Sequence, residues 1–501
     1  MRAYIQEIHQ REQAEQEASS LRHEPREVTS GGDPALQAAQ AELQAEVPEQ
    51  KISGPFFTAQ EALPQASRIR FPSDPKMQRL QRLAGHVVAA AESSPELVAQ
   101  PTAAISGATP GDDDVVICCA LRSAVGKAGK GFKEMPPEDL LAEVFKVVID
   151  RTKIDPKEIG DCVIGNALQP GAGGFGTRMS MFLAGLPYEV PMYTINRQCS
   201  SGLQAVATVA QSIKAGTIDV GLAGGVESMS TYPMACAYDQ KKLSPNIMKN
   251  AMAKACILSM GITSENVAEK YNISRETQDK FAEASHEKAL KAQKEGLFDS
   301  EIIPIKTTQT DKEGNKKEVV ISKDEGPRPG TTFEVLSKMK PAFKEGGSTT
   351  AGNASQLSDG AALVLLARRS KAKELGLPIL ARFRSFAAVG VDPHVMGIGP
   401  AYAIPPALKQ AGLSVGDVDI FEINEAFASQ AFMSINHLSI PMEKVNPKGG
   451  AIALGHPLGC TGSRQIASLL PELKRQGKKI GVVSMCIGSG MGAAGVIESE
   501  Q

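Results

Sequence analysis

From Asp114 onward the chain alternates short apolar runs with helical repeats that stop at glycine, and one such unit occurs twice. Ser200–Lys214 carries Leu203, Val206, Ala207, Ala210 and Ile213 on one face, stops at Gly216, and leads into an apolar run, Asp219–Ala223, and the pair Gly224-Gly225. Far downstream, Gly462–Arg475 stops at Gly477 and leads into Ile480–Ser484, then Cys486-Ile487-Gly488-Ser489-Gly490. An apolar helix face needs a surface to cover, and short strands supply it, so the pattern predicts a layered α/β body. Two halves of related topology explain the recurrence. Helix–glycine–strand recurs in any α/β protein, however, and identity between the two stretches is too low to establish duplication.

Further strands are predicted at Val115–Cys119, Cys162–Ile164, Met192–Ile195 and Ala361–Leu366, and a helix at Pro137–Arg151 through Leu140, Leu141, Val144, Val147 and Val148. Residues from about 230 to about 345 break the texture, with more Lys, Glu and Met. There Ser274 reads as the N-cap of a helix closed by Gly296, and Ile302–Ile305 and Val319–Ile321 flank a charged turn. This stretch reads as an excursion laid over one face of the body. Residues 1–76 differ again: 8 Lys+Arg against 12 Asp+Glu, and few large apolar side chains. They read as a disordered or loosely helical extension. The expected domains are therefore 1–76, a segment and linker at 77–113, a first half at 114–375 that includes the excursion, and a second half at 376–501.

Charge excludes some functions. With 54 Lys+Arg against 56 Asp+Glu, the chain lacks the basic excess of a nucleic-acid binder. No apolar run approaches the ~18 residues of a membrane span. The eight Cys are scattered and no secretory signal precedes them, so each reads as a buried small residue or a chemical tool.

Three positions are candidates for chemistry. Cys199 follows a strand and opens a helix, where free N–H groups favour a thiolate and are expected to lower its pKa from ~8.5. His456 lies in a loop held open by Gly455 and Pro457 just before a helix, a usual place for a general base. Cys486 follows the strand Ile480–Ser484, where a thiol tuned to near 7 can shuttle a proton. Asn424 sits at the carboxyl end of Asp419–Ile423, the sheet edge that hosts ligands in α/β folds. Alone, each residue is as well explained by packing or capping. Gly171-Ala172-Gly173-Gly174-Phe175-Gly176 matches the dinucleotide fingerprint, but Pro170 interrupts its approach and no strand with a terminal acid follows about 20 residues on.

Taken together the segments resemble the thiolase family, and within it the peroxisomal 3-ketoacyl-CoA thiolases. The resemblance runs from about Asp114 to about Glu498. It rests on Asn196-Arg197-Gln198-Cys199-Ser200-Ser201-Gly202, Gly225-Val226-Glu227-Ser228-Met229, Met260-Gly261-Ile262-Thr263-Ser264-Glu265-Asn266, Thr350-Ala351-Gly352-Asn353-Ala354-Ser355, Asn424-Glu425-Ala426-Phe427, Gly455-His456-Pro457 and Cys486-Ile487-Gly488. It implies two βαβαβαββ halves in a five-layer α/β/α/β/α body, an inserted loop domain, and at least a homodimer. It implies ping-pong acyl transfer in fatty acid β-oxidation, with no permanently bound cofactor and coenzyme A as co-substrate. In that scheme Cys199 is the nucleophile, His456 takes its proton, and Cys486 exchanges protons with the acetyl-CoA carbanion and the incoming CoA. His456 with a water on Asn424 forms one oxyanion hole, and the N–H groups of Cys199 and Gly488 form the other. Ser355, Phe343, Met260 and Phe427 line the CoA chain. The runner-up activity is acetoacetyl-CoA thiolysis. Members specialised for it carry His before the Met-Gly that matches Met260-Gly261, and here that residue is Ser259. A non-enzymatic lipid-transfer member is disfavoured by the complete Cys199, Asn424, His456 and Cys486 set. Condensing enzymes of related fold usually lack the second Cys.

The segment Met77–Val87 resembles a type-2 peroxisomal import signal, with Arg79, Leu80, Leu83 and His86 at helical offsets that share one face. An import receptor is the implied partner, and Met77 reads as an alternative start.

Overall fold

The computed structural model describes residues 104–107, 109–311 and 313–501. Arg79, Leu80, Leu83, His86 and the extension before them lie outside the described residues.

The first half runs β1 (Val115–Ser123), the short β2 (Gly126–Lys127), α1 (Pro137–Thr152), β3 (Asp161–Gly165), α2 (Gly174–Leu183), β4 (Met192–Ile195), α3 (Ser201–Lys214) and β5 (Val220–Ser228). The excursion follows: α4 (Ala251–Ala255), α5 (Met260–Lys270), α6 (Arg275–Lys294), β6 (Ile302–Ile303), the ribbon β7 (Ile305–Thr310) and β8 (Lys316–Ile321), and α7 (Phe333–Leu336). β9 (Ser358–Arg368) then returns to the main sheet, and α8 (Arg369–Glu374) leads out of it. The second half runs β10 (Ala381–Gly390), α9 (Gly399–Ala411), β11 (Ile420–Ile423), α10 (Ala428–His437), α11 (Ala451–Leu454), α12 (Thr461–Gln476), β12 (Ile480–Ile487) and β13 (Met491–Ser499).

Strand order bears out the repeat. The first half reads β4-β3-β5-β9-β1, with β4, β3 and β5 parallel and β9 antiparallel to both β5 and β1. The second half reads β11-β12-β13-β10, again with a parallel pair followed by antiparallel neighbours. A parallel bridge from Phe421 to Val445 stands where β4 stands in the first half. The two sheets join through just two β1–β10 pairs, Val116 with Arg382 and Ile117 with Ala381.

Burial separates the layers. Leu140, Val144 and Val148 of α1 pack on one face of the first sheet with Ile164, Leu222 and Leu363. Ile404 and Leu408 of α9 pack on the far face of the second with Val482 and Val496. Between the sheets lie α3, through Leu203, Val206 and Ile213, and α12, through Ile466, Leu469 and Leu473. Those two helices meet the inward residues Val163, Val364, Val483 and Ile497. The body is thus helix, sheet, helix pair, sheet, helix. Strands covered on both faces lose polar alternation, which is why they read as plain apolar runs.

One expectation is corrected. The Gly224-Gly225 pair does not end its strand; β5 continues to Ser228. A Cβ at 224 would lie 2.2 Å from the Ala362 carbonyl and one at 225 only 1.9 Å from the Gly459 carbonyl, so both glycines serve close backbone approach. The predicted helix after Ser274 is present as α6, with the Ser274 hydroxyl accepting from the Thr277 N–H.

The excursion is bolted on by buried charge. Arg122 of β1 donates to Glu301 at 2.8 Å and in bidentate fashion to Asp324 at 2.7 and 3.0 Å. Lys448 and the Ser468 hydroxyl of α12 also bond Glu301. All of these side chains are buried. Removing one partner strands the others in a medium that cannot solvate them. Glu301→Ala leaves Arg122 and Lys448 short of their shared anion and should cost ~3–5 kcal/mol in urea unfolding. A loss below about 1 kcal/mol would show that these charges do not hold the excursion in place.

Candidate active site

The turn from β4 into α3 holds the first thiol. Gln198 takes a left-handed φ of 46°, and Cys199 follows within the tight turn Gln198–Ser200 that opens α3. Ser489, after β12, is also left-handed at φ 63°, and its hydroxyl accepts from the Gln198 side-chain amide at 3.0 Å. Two strained turns, one from each half, are tied together beside the nucleophile position. A Cβ at Gly488 would lie 2.0 Å from the Gln198 side-chain oxygen, so a larger residue there would displace the Gln198 side chain from Ser489.

The N–H groups of Gly488 and of Cys199 itself face the Cys199 sulfur. Cys486, at the end of β12, lies near enough for Cys199 to act on it electrostatically. The expected lowering of the Cys199 pKa is not what results. Burial pushes this thiol up to about 11; the two N–H groups oppose the rise and the nearby Glu227 carboxylate adds to it. The amides at the helix start do favour thiolate, but loss of solvent outweighs them. Cys486 is likewise corrected: burial and the nearby Cys199 push it far above its ordinary range rather than to near 7.

His456 sits 5% exposed between α11 and α12. Its Nδ1 lies 2.7 Å from the Thr461 hydroxyl, which itself donates to the Pro457 carbonyl. Thr461 therefore accepts from Nδ1–H, which leaves Nε2 as the bare, basic nitrogen. Nε2 is 3.3 Å from the Asn424 amide nitrogen. Burial first, then the Arg464 cation, hold the imidazole down to about 3, so it is neutral at working pH. The Asn424 side-chain oxygen is buried and has no hydrogen-bond partner among the described residues. Among the described residues no hydrogen bond joins Cys199 to His456.

The four expected CoA-contacting residues do converge. Met260, Phe343 and Phe427 share one apolar cluster with Cys486, and the two rings meet edge to face at 6.0 Å. Ser355 donates its N–H to the carbonyl of Ala426, next to Phe427. Ser259, before Met260, makes no side-chain capping bond to α5. Sequence reading missed three supports. The Gln430 side-chain oxygen lies 3.6 Å from the Cys486 thiol, and Thr461 fixes the imidazole. Glu227 accepts three backbone N–H groups around the Cys199 loop. Glu227 lay within a quoted motif and Thr461 five residues past His456, but neither spacing signals a tertiary contact. A cavity of about 380 Å³ adjoins, lined by His286, Arg328, Val335, Met339, Gln356 and Ile452.

The thiol's position sets a titration. The rate of iodoacetamide alkylation at Cys199 should rise about tenfold per pH unit from pH 7 to pH 10, because thiolate stays scarce until pH nears 11. A plateau below pH 9 would show a thiolate already formed in the resting site.

Comparisons with known proteins bear on the family and the fold. The family model for the thiolase N-terminal domain matches residues 115–370 and that for the thiolase C-terminal domain matches 377–499. The mouse (Mus musculus) peroxisomal 3-ketoacyl-CoA thiolase B is 56% identical over 424 residues, 84% of this chain and 99% of the mouse protein. The crystal structure of the dimeric peroxisomal thiolase of Saccharomyces cerevisiae superposes with a TM-score of 0.73 at 50% identity, covering 78% of this chain and 99% of that one. The Bacillus anthracis acetyl-CoA acetyltransferase structure gives 0.70 at 41% identity, covering 77% and 98%. Matched along both halves by family models and by relatives of its own architecture, the chain belongs to the thiolase family.

Proposed function

We propose that the chain is a peroxisomal 3-ketoacyl-CoA thiolase, cleaving 3-ketoacyl-CoA with CoA to acetyl-CoA and an acyl-CoA two carbons shorter. The observation that carries this reading is the pair of buried thiols, Cys199 at the start of α3 and Cys486 at the end of β12, near enough to act on one another, with the Gly488 and Cys199 N–H groups on the Cys199 sulfur. Higher identity to the 3-ketoacyl thiolases than to the acetyl-CoA acetyltransferase supports it over acetoacetyl-CoA specificity, as does Ser259.

The steps follow from the groups present. Nε2 of His456 takes the Cys199 proton, and the sulfur attacks the 3-keto carbon. The N–H groups of Cys199 and Gly488, and the His456–Asn424 pair with its water, receive developing negative charge on the two carbonyl oxygens. Each such donor contributes roughly 3–4 kcal/mol. The bond between C2 and C3 breaks, leaving acyl-Cys199. The C2 carbanion takes the proton of Cys486, and acetyl-CoA departs. Cys486 thiolate then takes the proton of an incoming CoA thiol. The CoA thiolate attacks the acyl carbonyl, and the released Cys199 sulfur recovers its proton from His456. Charge thus arises in opposite pairs, which a buried site tolerates better than a lone ion.

Met260, Phe343, Phe427 and Ser355 flank the pantetheine chain in this reading. Edge strand β4 and the exposed Phe175, Met179, Phe182 and Leu183 of α2 support pairing with a second copy.

A thiolysis assay across 3-ketoacyl-CoA chain lengths tests the reading. Medium-chain substrates should be cleaved at least as efficiently as acetoacetyl-CoA, by protein with a dimer's mass in light scattering. Cys199→Ala should abolish turnover, and Cys486→Ser should cut it severely while an activated acyl donor still labels Cys199. Near-normal turnover of Cys199→Ala, or strict preference for acetoacetyl-CoA, would overturn it.

The likeness to the mouse protein is longer than the stretch from 115 to 501, so it reaches into the segment before the body. That supports an import signal there. A fluorescent fusion starting at Met77 should enter peroxisomes, and Arg79→Glu or His86→Asp should leave it in the cytosol. Equal import of wild-type and charge-reversed fusions would remove these residues from the signal.

A further inference from the structure

Glu227 has no part in the steps above, yet it is fully buried against them. It lies one residue from the end of β5. Its Oε2 accepts from the Ala167 N–H at 3.0 Å and the Gly459 N–H at 2.9 Å, and its Oε1 accepts from the Leu168 N–H at 3.2 Å. Among the described residues no ion pair reaches it, and its leading partners are backbone N–H groups and the Asn166 amide. A carboxylate without a counter-ion is costly to bury, and a neutral side chain of similar size would avoid that cost. What the carboxylate offers is acceptor capacity for three converging donors.

The origin of the donors gives the anion its meaning. Ala167 and Leu168 belong to the loop after β3, in the first half. Gly459 lies three residues past His456, in the second. Ala167, Leu168 and Leu458 share one apolar cluster with Cys199 and Met229. The Gly459 backbone is wedged so closely that its carbonyl would lie 2.6 Å from a Cβ at Gly202, at the start of α3. The carboxylate is therefore the polar knot between the loop that carries the general base and the half that carries the nucleophile.

We propose that Glu227 is a positioning residue, whose carboxylate clamps the His456 loop against the Cys199 half, next to the Cys199 thiol. The proposal rests on Cys199 being the nucleophile, as argued above. Two titratable groups lie near the carboxylate, Cys199 from the start of α3 and Cys460 from the start of α12. Asn166 contributes a neutral amide. Cys486 lies near Cys199 at the end of β12, and Arg464, Arg122 and Asp324 act on Cys460. Burial raises Glu227 itself to about 7, against the pull of its three N–H donors. As an anion it holds the Cys199 thiol up, so neutralising it lowers that thiol.

Two variants of the full chain test this. Glu227→Gln keeps the size but presents an NH2 to N–H donors and removes the charge. Its kcat for thiolysis should fall about 10- to 100-fold with KM nearly unchanged, the effect of misplacing a base rather than losing substrate contacts. The pH profile of Cys199 alkylation should move to lower pH. Glu227→Asp keeps the charge but is too short to span all three donors. Its kcat should fall while the alkylation profile stays at the wild-type position. Wild-type kcat in either variant, or an unshifted profile in Glu227→Gln, would overturn the proposal. Should Glu227→Gln fail to fold, as read from its melting curve, Glu227→Asp decides alone through its kcat. Alkylation does not depend on turnover, so failure of the thiolase reading itself would show separately, as thiolysis retained by Cys199→Ala.

Discussion

The carbonyl oxygen of Gly459 sits where a methyl group on Gly225 would be 1.9 Å away and one on Gly202 2.6 Å away. That backbone-to-backbone approach is the constraint on which the rest of the molecule depends. It brings the loop before α12 against the ends of β3 and β5 and the start of α3. Gly462 meets Leu203 in the same manner, its missing Cβ placed 2.4 Å from the Leu203 nitrogen. Any side chain at these points would hold the halves apart and widen the gap between the thiol of one half and the imidazole of the other. The central helix pair can form one layer because glycines thin it where the helices begin.

Desolvation then sets the character of the site. The same close packing that aligns the groups strips water from them, and the thiols, the imidazole and the Glu227 carboxyl all shift toward their neutral forms. The Cys199 thiol is pushed to about 11, His456 down to about 3, and the Glu227 carboxyl up to about 7. A helix start lends the Cys199 loop favourable amides, but a few N–H groups do not replace bulk solvent. The resting site is neutral at its reactive atoms, and its stored asymmetry lies in hydrogen-bond geometry: a bare Nε2, an unpartnered Asn424 oxygen, and two N–H groups aimed at sulfur.

Much of this was legible in the sequence, for physical reasons. Helix periods ending at Gly216 and Gly477 gave the two central helices, because a left-handed C-cap at each position selects glycine. The relatedness of the halves showed in the helix–strand units around those stops, and the paired strand orders bear it out. Cys199, His456 and Cys486 stood out through placement at strand ends and helix starts. Other features were hidden by kind. Strand β5 seemed to end at Gly224-Gly225, because local propensity cannot report a carbonyl arriving from residue 459. The acidity expected at Cys199 was wrong because exposure is a tertiary property. Glu227, Gln430 and Thr461 act through partners distant in sequence or on another turn, and no local pattern carries that information. The buried Arg122–Glu301–Asp324–Lys448 cluster was unreadable for the same reason: its members lie on four separate segments.

The depth of Cys199, 8% exposed, and of Cys486, 1% exposed, has an outcome for metabolism. An acyl group held as a thioester is a high-energy bond, and in open solvent water would slowly discharge it as a free acid and heat. In the proposed mechanism the bond is made on a buried thiol, so the main acceptor with access is another thiol that brings its own binding surface. The free energy released by carbon–carbon cleavage is then handed on as a second activated thioester, and a cell needs no fresh nucleotide triphosphate to reactivate the shortened chain for its next round.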